Sequence, residues 1–263
     1  MIYVFFRITA FFLAAGIIFP NGTPKLFKIC FSLLLSAMIA INLDINVTIK
    51  NFYELIIYGT METINGLVLG YMVSICFYII KMVGKLIDGQ MGLSMASTYD
   101  PNTQSQATLM ENLIYFVGLV VFFSIDAHHI VINSMQNSFK IIPVGYSIID
   151  YNFTYILSIF TQYFIMGLKM AMPLIVVLIV TDIITGIISR SISGLNVMII
   201  GAPLKILVGI IFLLIALPFI LNGMKDMIKH LKDVIEGTLV YQQNMIMVLV
   251  NIQVRSLKMI LKK

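Results

Sequence analysis

Charged side chains make up only 11% of the 263 residues, against 60% hydrophobic, and the mean hydropathy is +1.00. A soluble domain carries roughly 25% charged residues, so a water-facing surface could not be covered here. The scarcity of charge also excludes a disordered chain. Cysteine is nearly absent: Cys30 and Cys76 are the only two and both lie in apolar runs, which removes a disulfide scaffold and leaves the redox compartment open. Three histidines are too few for a convincing metal site, and His128 and His129 are neighbours. On a helix, neighbours point about 100° apart and should not converge. A structural, hydrogen-bonded His128 and a proton relay with Asp126 both remain open. No phosphate-cradling G-x-x-x-x-G-K-[ST] is present, since Gly84-Lys85 is followed by Leu86, and no G-x-S-x-G occurs. No catalysis, cofactor or metal is therefore expected.

What is present is apolar sequence in long blocks, the mark of an all-α polytopic membrane protein. Six segments approach the length needed to cross about 30 Å of hydrocarbon: Tyr3 to Phe19, Leu26 to Leu43, Leu55 to Ile87, Leu113 to Ile142 with a polar break, Tyr155 to Ile188 and Val197 to Leu221. The first holds Arg7 and lacks a basic leader and a small-residue cleavage site, so it is expected to be retained. Pro20-Asn21-Gly22 with Pro24 predicts a turn, and Asp44 to Lys50 a short polar link. The longest polar stretch before the tail is Asp88 to Asn112, in which Asp100-Pro101-Asn102 marks a turn.

Several charges sit where lipid would be expected. Glu62, Lys169, Asp182 and Lys205 lie in or at the edge of apolar segments, with Arg7 and Lys28 nearer the start. Facing lipid at mid-depth, each costs about 3 kcal/mol, and four on the order of 12 kcal/mol. Mutual pairing and snorkelling would relieve some of this; the set as a whole points to an assembly interior. Pro173, Pro203 and Pro218 fall inside helical stretches and favour kinks. Gly66 and Gly70 form a small-xxx-small pair, and Asp182, Gly186 and Arg190 share one helical stripe, arrangements suited to close helix contact.

Of the net charge of +5, the stretch from Asn222 onward holds +4, with seven cations and three anions. This predicts a cytoplasmic C-terminus and divides the chain into residues 1–221 and a basic tail, 222–263. Within the tail, Met224, Met227, Ile228, Leu231, Val234 and Ile235 recur at helical spacing, an amphipathic helix. The more apolar stretch after Gly237 would lie on a membrane surface or pack on a partner. A nucleic-acid partner is not expected, because no solvated domain carries a basic stripe.

The run Gly84-Lys85-Leu86-Ile87-Asp88-Gly89-Gln90-Met91-Gly92-Leu93-Ser94, followed by Tyr99-Asp100-Pro101, resembles the signature of the FliR family, the flagellar export-apparatus membrane proteins with an injectisome counterpart. Arg7, Pro20, Pro24 and Lys28, then Glu62 with Gly66 and Gly70, match upstream. His128, Ser138-Phe139, Pro143, Ala171-Met172-Pro173, Asp182, Gly186, Arg190, Leu195-Asn196 and Gly201-Ala202-Pro203-Leu204-Lys205 match downstream. The likeness runs from about Arg7 to Leu221.

The resemblance implies a conduit for unfolded proteins at the base of the flagellar basal body in the inner membrane, built with FliP-like and FliQ-like subunits and with an FlhB-like subunit nearby. It implies that a loop corresponding to Gly92 to Gln106 plugs the pore. On that basis Gly89, Gln90, Gly92, Ser94, Asp100, Pro101, Asn102 and Gln104 are the expected plug residues. Gly89 and Gly92 would permit sharp turns. Arg7, Glu62, His128, Asp182, Arg190 and Lys205 are the expected buried or assembly charges. The alternative from the residues alone is a small-solute secondary transporter using Glu62, Asp182 and Lys205.

Overall fold

A computed structural model describes residues 2–16, 23–41, 51–93, 108–146, 153–191 and 197–260. Every regular element among them is an α-helix: α1 (Ile2–Ala14), α2 (Lys25–Ile41), α3 (Phe52–Met91), α4 (Leu109–Ser124), α5 (Ala127–Ile141), α6 (Phe153–Ser191) and α7 (Val197–Ile260). The fourth apolar segment becomes two helices, because the chain turns at Ile125 and Asp126, where Asp126 adopts φ 55°. The prolines at 173, 203 and 218 lie inside helices that continue through them. The expected turn at Pro20-Asn21-Gly22 and the link from Asp44 to Lys50 lie outside the described residues.

By length and composition α3, α6 and α7 can each cross a membrane, and α4 with α5 makes a fourth span if the broken pair is counted as one. The 13 described residues of α1 and the 17 of α2 fall short of the ~20 a span needs. By contrast, the 40 residues of α3 reach about 60 Å at 1.5 Å per residue, roughly twice the hydrocarbon thickness. α7, with 64 residues, passes without a break through residue 222, where the charge pattern places the start of the tail.

The chain divides into two compact units. One contains residues Met1–Ile75, His128–Phe160 and His230–Lys263. Its α1 lies directly on α3 along a stripe of small residues. A Cβ added to Gly66 would stand 2.1 Å from the Arg7 carbonyl oxygen, and one on Gly70 2.5 Å from that of Phe11. One turn further on, Ser74 donates its hydroxyl to the Ala14 carbonyl at 2.7 Å. Residues four apart on a helix share a face, so positions 66, 70 and 74 make one groove, and the glycine pair serves packing within the chain. Ile8, Phe11 and Phe12 of α1 are buried, with Phe12 edge-on to Phe31 of α2 at 5.4 Å between centroids.

The other unit contains Cys76–Ala127 and Thr161–Lys229. Its α3 segment buries Phe77, Ile80, Val83, Ile87 and Met91. The Phe77 ring packs edge-on to Phe122 of α4, 5.5 Å between centroids. Met91 fills a notch at Gly209 of α7, where a Cβ would meet its Cε at 2.6 Å. Met224, Met227 and Ile228 of α7 are buried in this unit, and Leu231, Val234 and Ile235, further along the same stripe, are buried in the first unit. From residue 238 to 260 only the helical backbone is described.

Candidate functional site

The central charged feature belongs to the first unit. Arg7 on α1 and Glu62 on α3 are both fully buried and paired, with Nε and Nη2 of the guanidinium donating to Oε2 and Oε1 of the carboxylate, the latter bond 3.0 Å long. This fork-on-fork geometry uses both carboxylate oxygens. Two further donations reach α5 and its end: Nη1 to the Ser138 hydroxyl at 3.1 Å and Nη2 to the Ile142 carbonyl at 3.2 Å. Ser138 passes its own proton to the Met135 carbonyl at 2.7 Å, and the Phe139 ring lies 4.1 Å from Cζ of Arg7. One cation thus ties α1, α3 and α5 together. Beside it, Asn65 donates to the Tyr146 carbonyl at 2.7 Å, holding the segment after α5 to α3.

Why these residue types are needed follows from burial. A guanidinium in an apolar interior requires an opposite charge and bonds for its remaining donors, and arginine's planar fork supplies the geometry that lysine lacks. The sequence shows that Arg7 and Glu62 need partners. It does not show that they are each other's, because 55 positions separate them. The role of Ser138, Phe139 and the Ile142 carbonyl had no signal in the charge pattern at all.

In the second unit, the residues at the end of α3 hold the start of α4. A Cβ on Gly84 would come 2.6 Å from the Glu111 Cα and 2.7 Å from the Met110 carbonyl oxygen, so backbone touches backbone there. Four residues on, the fully buried Asp88 accepts the Met110 amide proton on Oδ1 at 3.3 Å. α3 persists to Met91, so Gly89 is helical and does not make the sharp turn expected of it; i→i−4 hydrogen bonding carries the helix past it. The turn falls on Gly92, with φ +80°, a conformation that favours glycine. Gly89 is exposed and Gln90 half-buried, while Ser94, Asp100, Pro101, Asn102 and Gln104 lie outside the described residues.

None of the remaining charges is fully buried within the chain. Lys205 on α7 and Asp182 on α6 form an ion pair of 2.6 Å, with side chains 18% and 51% exposed, and Arg190 is exposed. Gly186 has open space where a Cβ would be among the described residues, so no neighbour packs on that position of the stripe between Asp182 and Arg190. The reason is that α6 and α7 are largely uncovered: only 17% of the most apolar stretch of each is buried, against 67% for α3. His128 is half-buried and His129 exposed. Their rings do meet, with centroids 4.2 Å apart, contrary to the divergence expected of neighbours. They occupy the first turn of α5, where no preceding helical turn restricts their rotamers.

These features define an all-helical membrane protein that, among the described residues, seals one ion pair inside itself and leaves two long apolar helices largely uncovered. The sequence profile of the family described as bacterial export proteins, family 1, matches residues 1–231. Similar relatives include the flagellar biosynthetic protein FliR of Bacillus subtilis, 29% identical over 214 residues, which span 80% of this chain and 83% of that protein. FliR of Aquifex aeolicus is 28% identical over 214 residues, 80% of this chain and 81% of its own. FliR of Escherichia coli is 26% identical over 206 residues, 78% of each. The chain belongs to this export-protein family, the FliR family, and is a membrane component of the flagellar-biosynthesis type.

Proposed function

We propose that the chain is a non-enzymatic wall subunit of a protein-export conduit in the bacterial inner membrane, at the base of the flagellar basal body. It passes unfolded flagellar substrates and assembles with FliP-like and FliQ-like subunits, with an FlhB-like subunit nearby. The segment from Gly92 to Gln106 acts as the plug that closes the resting pore. Residues 1–221 form the gate domain and the basic tail, 222–263, completes it on the cytoplasmic side.

The observation that carries this reading is the uncovered surface of α6 and α7. Their apolar stretches are 17% buried, yet Lys169, Asp182 and Arg190 are exposed along α6. A helix apolar around most of its circumference belongs inside a larger body, and ionised groups on such a surface disfavour plain hydrocarbon as the neighbour. Protein neighbours satisfy both conditions. The transporter reading finds less support: Glu62 engages Arg7 through both oxygens, and Asp182 and Lys205 engage each other.

Affinity purification of the tagged chain from its host in mild detergent tests the proposal. FliP-like and FliQ-like subunits are expected in fixed ratio. A fully functional chain recovered alone as a monodisperse species would overturn it.

A further inference from the structure

We infer that the start of α4 is a two-position cap, in which Asp88 of α3 and Thr108 of α4 itself are alternative acceptors for the same end of the helix. Thr108 occupies the N-cap position with φ −77° and ψ 164°, the extended conformation that N-caps adopt, and its carbonyl accepts the first helical bond from Asn112 at 3.0 Å. The sequence Thr108-Leu109-Met110-Glu111 has the form T-x-x-E, in which threonine and glutamate cap each other's backbone amides. α4 therefore encodes a self-sufficient N-terminus.

That local cap is not made. Thr108 forms no side-chain cap bond, and its Oγ1, on a residue 6% exposed, has no hydrogen-bond partner among the described residues. Met110 is the second residue of the helix, one of the two amides an N-cap side chain normally takes, and its proton goes to Asp88 Oδ1. The second oxygen of Asp88 is buried and also unpartnered. A buried polar atom without a partner is disfavoured, and here two stand at one helix end, the configuration left when two acceptors compete for a single site.

The consequence is a helix end that can leave α3 without fraying. When the first turn of α4 lifts from the Gly84 and Asp88 face, the Thr108 hydroxyl rotates onto the Met110 or Glu111 amide, and Asp88 becomes free for water. The cap thus lets the return end of the polar loop shift while α4 stays helical. That use rests on the plug reading above; the exchange of caps itself does not.

Amide hydrogen exchange at Met110 and Glu111, in the full chain in detergent, tests it with Asp88→Ala, Thr108→Val and the double variant. Thr108→Val alone should change protection less than about twofold and Asp88→Ala about fivefold, since each leaves the other cap available. The double variant should lose roughly tenfold more than the product of the two. A double variant equal to that product overturns the proposal, because Thr108 then never serves as a cap. If Asp88→Ala fails to fold, Asp88→Leu, close in size and without an acceptor, replaces it in the same cycle with the same two outcomes. Failure of the plug reading leaves the cycle unaffected and shows instead as unchanged resting conductance on deletion of the loop.

Discussion

Replacing Glu62 with leucine leaves the Arg7 guanidinium in a site with no exposure and no counter-charge. Ser138, the Ile142 carbonyl and the Phe139 face remain as partners. Removing one member of a buried pair costs about 3–5 kcal/mol. Because three uncharged contacts persist, the lower end applies, about 3 kcal/mol, or roughly a hundredfold in the folding equilibrium. Cys76 offers a probe, since its thiol is fully buried in α3 while Cys30 is exposed. In a Cys30→Ser background, thiol labelling during titration with a denaturing detergent reports unfolding directly. The pair Arg7→Met with Glu62→Leu should be less destabilising than either single change, because no stranded charge remains. A Glu62→Leu variant within about 0.5 kcal/mol of the parent, the range of neutral surface changes, would refute the burial of the pair. A double variant equal to or worse than the sum of the singles would refute the pairing.

Gly66→Ala should destabilise by about 1–3 kcal/mol, since its methyl would enter the Arg7 backbone, and the same unfolding titration reads this. Gly186→Ala meets open space and should be neutral or stabilising by up to about 1 kcal/mol in the isolated chain; a loss of complex recovery despite that stability would locate a partner's surface there. Asp182→Asn, at a half-exposed pair, should cost under about 1 kcal/mol, and a cost near that of Glu62→Leu would contradict its exposure. Deleting Thr98 to Ser105 should raise resting ion leakage through the assembled complex while leaving recovery of the complex intact, and unchanged conductance counts against the plug.

Much of the architecture is legible in the sequence because it depends on local periodicity. The apolar blocks became helices, the polar break near Asp126 became a turn, and the 3.6-residue stripe from Met224 to Ile235 is buried as spaced. Gly66 and Gly70 were visible as a packing pair for the same reason, since residues four apart share a face whatever lies opposite. Pairing across the chain is another matter. Glu62 and Asp182 are both anions in apolar segments, and nothing in the spacing says which of them faces Arg7. Sharp turns were expected at Gly89 and Gly92, whereas Gly89 continues the helix and only Gly92 turns, and Gly84 serves contact. A glycine marks a place where a side chain is not wanted, and the sequence does not say whether sterics or backbone conformation is the cause.

Charges within apolar segments divide into two physical cases. Arg7 and Glu62 solve their desolvation inside the chain, with both carboxylate oxygens engaged and the guanidinium bonded on all three nitrogens. Four of the guanidinium's five N–H donors are engaged, so the network holds helices together within the chain. Asp182, Arg190 and Lys169 are exposed on a helix that is otherwise apolar. Leaving them to hydrocarbon would cost about 3 kcal/mol each, and a single exposed pair with Lys205 recovers less than about 1 kcal/mol. Water, lipid headgroups or polar groups of a protein neighbour meet the deficit. A helix apolar enough to be expelled from water and charged enough to be disfavoured in lipid is stable at a protein interface, where both requirements are met at once. The same sequence property that first suggested a membrane span therefore supports, once burial is known, the proposal of shared walls between subunits.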